Sequence, residues 1–450
     1  MAIGKILYKS MYWKFFQLAL SFFINLFLTR HFRSAISAEF YSFVYILSLF
    51  ATFFTLGLDI GLNYYLSRRQ ITPRAACRII AGVTVLALVI SLPLLYLLFH
   101  PARFPDLSPG RWLFFSACHI TGVLLTSLSG TIFTAYGQNY RPAQYISGIN
   151  IVLAVLLFVM SVVCTGSRLV ESLFFLYFLF SFLQGAILFA VALVRYAGAA
   201  PGVAAAMAAG TTHQPVGLRE LLGFSFMAFI TNFIFFLGGR LGIYLLPYRV
   251  NAAEQGNYIQ AYKLVEYCGL IASFIYYPFI AIVAAQDKEK TKEKLLLFLV
   301  RLSNTAVLFF SLLMLVFGKA LLPFIYGRSF EGMYGIFVCF IPGLFPVCSS
   351  TFFTAWFYGA GRLKYNFISS CIQLSATFIL FFLLAGIGGA RGVALAYSLA
   401  GMASMAYDCI VFGREAPYRP AALFLARGQD WRIVRDFVGQ ITTKINNHGS

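Results

Sequence analysis

The chain has 450 residues, 60% of them hydrophobic and 11% charged, with a mean hydropathy of +0.81. That apolar share lies far above the share in an ordinary water-soluble domain and excludes a soluble globule. The net charge of +19 raises nucleic acid as a partner, so the position of the cations decides what the basicity means.

A hydrocarbon layer about 30 Å thick takes roughly 20 apolar residues of helix. The sequence predicts twelve such spans, at residues 11–33, 40–66, 76–99, 112–136, 143–165, 169–194, 218–247, 256–285, 295–317, 334–358, 365–386 and 391–412. Transmembrane strands would alternate in polarity over about ten residues. INIVLAVLLFVMSVVC, Ile149 to Cys164, is apolar on all sides instead, so the expected class is an all-α polytopic membrane protein. Phe15 to Thr29, with a basic flank before it and SAISA after it, has the look of a cleaved secretion signal. It belongs to one half of the internal repeat described below and is therefore expected to remain as the first span.

The eight cysteines fall within or beside apolar runs and show no CxxC spacing, and the five histidines make no HExxH pair. The cysteines read as small buried apolar side chains, and no metal or cofactor is expected. If the N-terminus is cytoplasmic, inner segments hold twenty-two of the thirty-four Lys and Arg and outer segments nine. That bias follows the positive-inside rule, explains the basicity without nucleic acid, and puts both termini in the cytoplasm. Three cations are left inside spans: Arg240, Lys263 and Arg301. Arg301 lies about a turn and a half into the ninth span and is expected to snorkel outward.

Two short self-matches recur at nearly one offset. Ser37-Ala38-Glu39 matches Ala252-Ala253-Glu254, and TIFTAYG (Thr131 to Gly137) matches TFFTAWFYG (Thr351 to Gly359), followed by Ile146-Ser147 against Ile368-Ser369. Equivalent positions fall six spans apart. Six is even, so both halves start on the same side, which predicts a parallel repeat of transporter type. The predicted organisation is a six-helix bundle at 1–194, a cytoplasmic linker at 195–217, a second bundle at 218–412 and a basic tail at 413–450. The linker is rich in small residues, Pro and Gly. In the tail, Trp431, Val434, Val438, Ile441 and Ile445 have the spacing of an amphipathic helix, with a solvated tail as the alternative.

The pattern resembles the multidrug/oligosaccharidyl-lipid/polysaccharide exporter (MOP) superfamily and, within it, the Wzx-type flippases. AEFYSFVYILSLFATFFTLGLDIGLNYYLSRR (Ala38 to Arg69) is similar to the family's acidic residue before an aromatic second span, closed by an LGL turn and basic residues. EQGNYIQAYKLVEYCGLIASFIYYPF (Glu254 to Phe279) resembles its G-x-Y-x-x-A-Y-K stretch. LLPFIYGRSFEGMYGIF (Leu321 to Phe337) and AGIGGARGVALAYSLA (Ala385 to Ala400) resemble the segments before the tenth span and into the last. The resemblance implies two MATE-like six-helix bundles set as an inverted V, alternating access, and the bacterial inner membrane. It implies outward movement of an undecaprenyl-pyrophosphate-linked oligosaccharide for surface polysaccharide, among membrane lipids, with a polysaccharide polymerase and chain-length machinery as partners. Many relatives carry an acidic residue near the position of Arg240, so an ion-coupling scheme does not carry over at that point.

Arg240 precedes Pro247 by seven residues, roughly 10 Å along a helix. Lys263 and Glu266 share a face at i, i+3 spacing and fall at similar depth, so the three are expected to form one polar cluster. A guanidinium can bind the anionic oxygens of a pyrophosphate in bidentate fashion, with Glu266 holding Lys263 or coupling an ion. The alternative is that both cations snorkel to the outer headgroups. Arg30 is a further candidate for the cationic lining or an interfacial anchor. Asp59 either couples ions or pairs with Arg68 and Arg69, and the pairing is favoured. Pro342, Gly343 and Pro346 mark a broken helix and a candidate hinge, or a static kink. Asp408 is expected to meet cytoplasmic water, and Trp13, Trp112 and Trp356 fit aromatic belts.

Two other classes stay open. A multidrug antiporter of the same superfamily would favour membrane carboxylates over cations. A membrane-embedded polysaccharide polymerase would need a larger outer loop or paired carboxylates, whereas the longest outer connections are short, with one acid each, Asp106 and Glu331. No GxxxxGK[ST] phosphate loop occurs.

Overall fold

The computed structural model describes residues 2–103, 108–197, 217–285 and 289–415, together with residues 423 and 430. The described part is helical, without a strand. The helices are α1 (Ala2–Phe54), α2 (Leu58–Ser67), α3 (Pro73–Arg103), α4 (Pro109–Ala135), α5 (Arg141–Val163), α6 (Gly166–Ala192), α7 (Leu218–Leu245), α8 (Ala252–Ala285), α9 (Glu289–Tyr326), α10 (Met333–Gly359) and α11 (Leu363–Glu415). Most of the predicted linker, and the predicted amphipathic stretch from Trp431 to Ile445, lie outside the described residues.

Two helices are longer than any bilayer needs, and each is broken by one left-handed residue. α1 turns at Arg33 (φ 58°) and α11 at Gly389 (φ 53°). Nine described segments are long and apolar enough to cross a membrane. With the two broken helices counted as pairs, and with the 34-residue α8, they correspond to the twelve predicted spans. The second span is itself interrupted between Phe54 and Leu58, where Gly57 has φ 68°.

The chain divides into two compact units. The first comprises residues 1–259 and 324–330, the second 260–323 and 331–450. Lipid offers no hydrophobic drive for one apolar helix to join another, so close packing of small residues has to do it. In the first unit, α4 and α6 cross where Gly122 meets the Ser181 carbonyl and Gly185 meets Gly122, with no room for a Cβ on either glycine. α2 lies equally close to α7, because Gly57 and Gly61 face the Ser225 carbonyl and hydroxyl. Gly256, at the start of α8, meets the Ser34 carbonyl beside the α1 turn. The two segments that the repeat relates, Ser37 to Glu39 and Ala252 to Glu254, therefore flank one contact.

In the second unit, α10 packs on α11 through Gly343 against Ser398 and Gly401 against Pro346. α10 is one continuous helix through Pro342, Gly343 and Pro346 rather than a discontinuous one. The Ser398 hydroxyl donates to the Cys339 carbonyl at 2.7 Å just before the prolines. Trp112 and Trp356 are core residues, not members of an interfacial belt: both are buried. Trp112 packs against Phe43 and Tyr96, and Trp356 against Phe412. The surface that remains is strongly apolar, as at Val85, Leu97, Val162, Phe309 and Ile387, which suits contact with acyl chains.

The repeat is visible in the helix ends. After α4, Tyr136, Gly137 and Gln138 donate to the carbonyls of Ile132, Thr134 and Phe133; after α10, Ala360, Gly361 and Arg362 donate to Trp356, Tyr358 and Phe357. These are the same reciprocal C-terminal cap, and Gly137 and Gly361 both take the left-handed conformation it needs, at φ 70° and 72°. The caps align Gly137 with Gly361, whereas the sequence match pairs it with Gly359.

Gly61→Leu should lower stability by about 2–4 kcal/mol through overpacking against Ser225. Gly148→Ala, where a Cβ meets open space, should be neutral or slightly stabilising. Thermal unfolding of the two purified variants in the same detergent checks this, and equal midpoints would refute the packing account.

Candidate functional site

Arg240 stands in the last third of α7 and is half-buried. Its guanidinium lies 4.1 Å from the centroid of the Phe236 ring and 5.8 Å from that of Tyr45. Phe236 is one turn back towards the start of α7, the direction in which helical side chains lean. Tyr45 sits twelve residues beyond the Arg33 turn, roughly 18 Å along the helix. The guanidinium thus points into the depth of the span, away from the Pro247 end to which a snorkelling arginine would reach. Tyr244, one turn further on, donates its hydroxyl to the Tyr45 carbonyl at 3.1 Å and ties α7 to α1 beside it. An aromatic face offsets part of the cost of a charge away from water.

Lys263 and Glu266 lie in the second unit, on α8, half-buried. The i, i+3 spacing brings them together as expected, and the two charges interact. Arg240 belongs to the first unit. Arg30 is exposed, one turn before the α1 break. Asp59 occupies the first turn of α2, a favourable place for an anion. Arg68 is nine residues further along, about 13 Å of helix rise, and its guanidinium lies instead over the Tyr64 ring at 4.3 Å.

Several polar groups that the sequence reading passed over are deep inside. His119 is buried between the hydroxyls of Ser48, 3.0 Å from Nε2, and Ser181, 3.4 Å from Nδ1, at the crossing of α4 and α6. Gln184 donates to Asn150 at 2.7 Å, and Gln255 to Ser42 at 2.6 Å. Such pairs satisfy polar side chains where water is absent. Arg301 does not snorkel: it forms a bidentate ion pair with Asp430, both bonds at 2.8 Å, with side chains 11% and 5% exposed. Next to it, Asn304 donates to the Leu423 carbonyl at 2.9 Å and accepts from Ser349 at 2.8 Å. Residues 423 and 430 of the tail are in this way fastened to α9 and α10. No spacing pattern marked Asp430, because the two partners are 129 positions apart.

Asp408 does not meet water. It is 1% exposed and both carboxylate oxygens are buried. The eight cysteines are free thiols, Cys77, Cys118 and Cys348 buried and the others half-buried. A cleft of about 630 Å³ opens between α3 and the end of α6, lined by Arg74, Cys77, Arg78 and Ala81 on one side and Phe189, Leu193 and Val194 on the other. The helix widens to a π turn there, Leu193–Ala197.

Residues 269–446 match the model of a family described as lipid II flippase MurJ. Among solved structures, the chain resembles lipid II flippase MurJ in an inward closed conformation, at 15% identity over 92% of this chain and 88% of that one, with a TM-score of 0.61. It resembles a multidrug resistance MATE family transporter of the MOP superfamily, inward-facing, at 14% identity over 88% and 94%, with a TM-score of 0.63. A MOP superfamily transporter from Pyrococcus furiosus, whose binding pocket is described as of reverse polarity, matches at 13% identity over 94% and 97%, with a TM-score of 0.66. No curated protein sequence matches significantly. The chain therefore has the multi-pass helical fold shared by MurJ and MATE transporters.

Removing one partner of a buried ion pair strands the other, which typically costs about 3–5 kcal/mol. Arg301→Ala should destabilise on that scale, and Arg301→Met combined with Asp430→Leu should recover most of the loss. Chemical unfolding in detergent reads both, and an unaffected Arg301→Ala would show that the tail contact carries no stability.

Proposed function

We propose that the chain is a flippase of the bacterial inner membrane, multi-pass with both termini in the cytoplasm. It moves an undecaprenyl-pyrophosphate-linked oligosaccharide from the cytoplasmic to the outer leaflet by alternating access, and so serves surface polysaccharide synthesis beside a polymerase and its chain-length machinery. The two working halves are the six-helix bundles at 1–194 and 218–412, joined through 195–217.

The observation that carries this reading is Arg240. A cation in a spanning helix, turned inward onto Phe236 and Tyr45, is costly to keep unless it is used. Its planar fork suits the paired oxygens of a pyrophosphate, and stacking on a ring engages the face of the guanidinium while its N–H groups lie in the plane. Within the second unit, Lys263 beside Glu266 is a further cationic contact for the cargo, and Arg30, in the first, is one at the outer surface. Pro342, Gly343 and Pro346 supply the flexible point in α10. The family match over residues 269–446 favours a second reading within the same class, with lipid II as the cargo. A multidrug antiporter has support from the MATE fold, but a membrane cation in place of a carboxylate is the wrong polarity for cationic drugs.

Complementation separates these readings. In a flippase-deficient bacterium, at matched membrane expression, the wild type should restore surface polymer. Arg240→Ala should lose about 10–100-fold, the worth of a charge-assisted contact, and Arg240→Lys should lose less. Lys263→Ala and Glu266→Gln should give smaller defects. Rescue of a lipid II flippase deficiency alone would select the second reading. Equal rescue by all variants would make the cluster structural, and drug resistance without polymer would select the antiporter.

A further inference from the structure

The first unit holds a cleft that the lipid-carrier reading does not use, about 630 Å³ between the start of α3 and the end of α6. One wall is charged at its rim. Arg74 and Arg78 stand one turn apart on α3, both exposed, and Ala81 continues the same wall. The opposite wall is apolar: Phe189 is half-buried, and Leu193 and Val194 are exposed. The last two belong to the π turn Leu193–Ala197, which packs against α3. Such turns widen a helix and are frequent at functional sites. This one is fixed in place, because Tyr196 stacks on Tyr136 with ring centroids 4.8 Å apart and donates its hydroxyl to Gln138 at 3.0 Å. The wall is therefore formed before any ligand arrives.

Charge decides what the rim can take. Two guanidinium groups at i, i+4 repel each other, and the starting end of a helix is itself positive. The first turn of α3 has no acidic residue, and among the described residues Arg78 has no ion pair. One bound anion relieves the repulsion and meets the helix end together, and the N–H groups of a guanidinium fit the oxygens of a phosphate. The apolar wall favours an anion joined to a hydrocarbon. A free phosphate makes no use of Phe189, Leu193 and Val194, whereas an acyl chain lies along them. α3 begins and α6 ends on the side where the sequence gathers Lys and Arg, which the positive-inside rule makes cytoplasmic. Basic pockets between spanning helices on that side suit anionic lipid headgroups.

We propose that the cleft binds one anionic phospholipid of the inner leaflet, its phosphate between Arg74 and Arg78 and one acyl chain between Ala81 and the wall of Phe189, Leu193 and Val194. The volume falls within the range of small-ligand sites, about 300–1,000 Å³. It takes the headgroup and the upper part of one chain, while the rest of the lipid stays in the bilayer. Bound there, the lipid braces α3 against the π turn. The site uses none of Arg240, Lys263 or Arg30, so it stands or falls separately from the lipid-carrier reading.

The test is native mass spectrometry of the full chain in a neutral detergent, titrated with phosphatidylglycerol or with phosphatidylcholine of the same acyl chains. The wild type should retain one phosphatidylglycerol per chain at a concentration at least about tenfold below that needed for phosphatidylcholine, the worth of a charge-assisted contact. Arg78→Ala should weaken retention about tenfold, and Arg74→Ala combined with Arg78→Ala should erase the preference. Both arginines are exposed, so the unfolding midpoints of these variants without added lipid should match the wild type. Ala81→Trp keeps both charges and fills the cleft. It should lose the bound phosphatidylglycerol, which a diffuse attraction of anionic lipid to a basic surface would not. Arg240→Ala should bind as the wild type does. A wild type without preference, a preference kept by the double variant or by Ala81→Trp, or a loss caused by Arg240→Ala would each overturn the site. Displacement of the lipid by equimolar inorganic phosphate would also overturn it, in favour of a free-phosphate site.

Discussion

In a lipid-embedded chain the constraint that orders the rest is that polar groups must be satisfied without water. It allows only helices or closed barrels for the backbone, and the described part of this chain is helical. It also governs the side chains. His119 sits between two serines, Arg301 meets Asp430, and Gln184 meets Asn150. Small residues at Gly57, Gly61, Gly122, Gly185, Gly343 and Gly401 bring the helices close enough for those pairings.

Arg240 and Asp408 differ in kind. Arg240 is half-buried and rests on aromatic faces, so it keeps its charge at moderate cost and can meet an anion. Asp408 is enclosed, 1% exposed, with both carboxylate oxygens buried. Each lies within one unit of the fold.

The fold was legible in the sequence because the bilayer sets a length of about 20 apolar residues, and composition alone exposes it. The repeat was legible at TIFTAYG and TFFTAWFYG, although only the hydrogen bonds of the helix caps set its register, Gly137 with Gly361. What hydropathy could not reveal were contacts between residues far apart in the chain. The expected exposure of Asp408 failed because nearness to a span's end says nothing about what packs over it. The expected snorkelling of Arg301 failed because its partner stands in the tail. Trp112 and Trp356 looked interfacial by position, but their rings fill the core. The inward lean of Arg240 was legible in principle, because a helical side chain points back along its own helix. Pro342 and Pro346 suggested a break, yet the helix continues through both.

The central claim is that this fold carries a pyrophosphate-linked lipid across the bilayer by way of an intramembrane arginine. The direct measurement is reconstitution of the full chain into liposomes with a polyprenyl-pyrophosphate-linked oligosaccharide in the inner leaflet, scoring its arrival outside with a membrane-impermeant lectin or hydrolase. The account predicts transfer by the wild type and a loss of at least about tenfold with Arg240→Ala, with Arg240→Lys between the two. Transfer no faster than in protein-free liposomes, or transfer indifferent to Arg240, would contradict it.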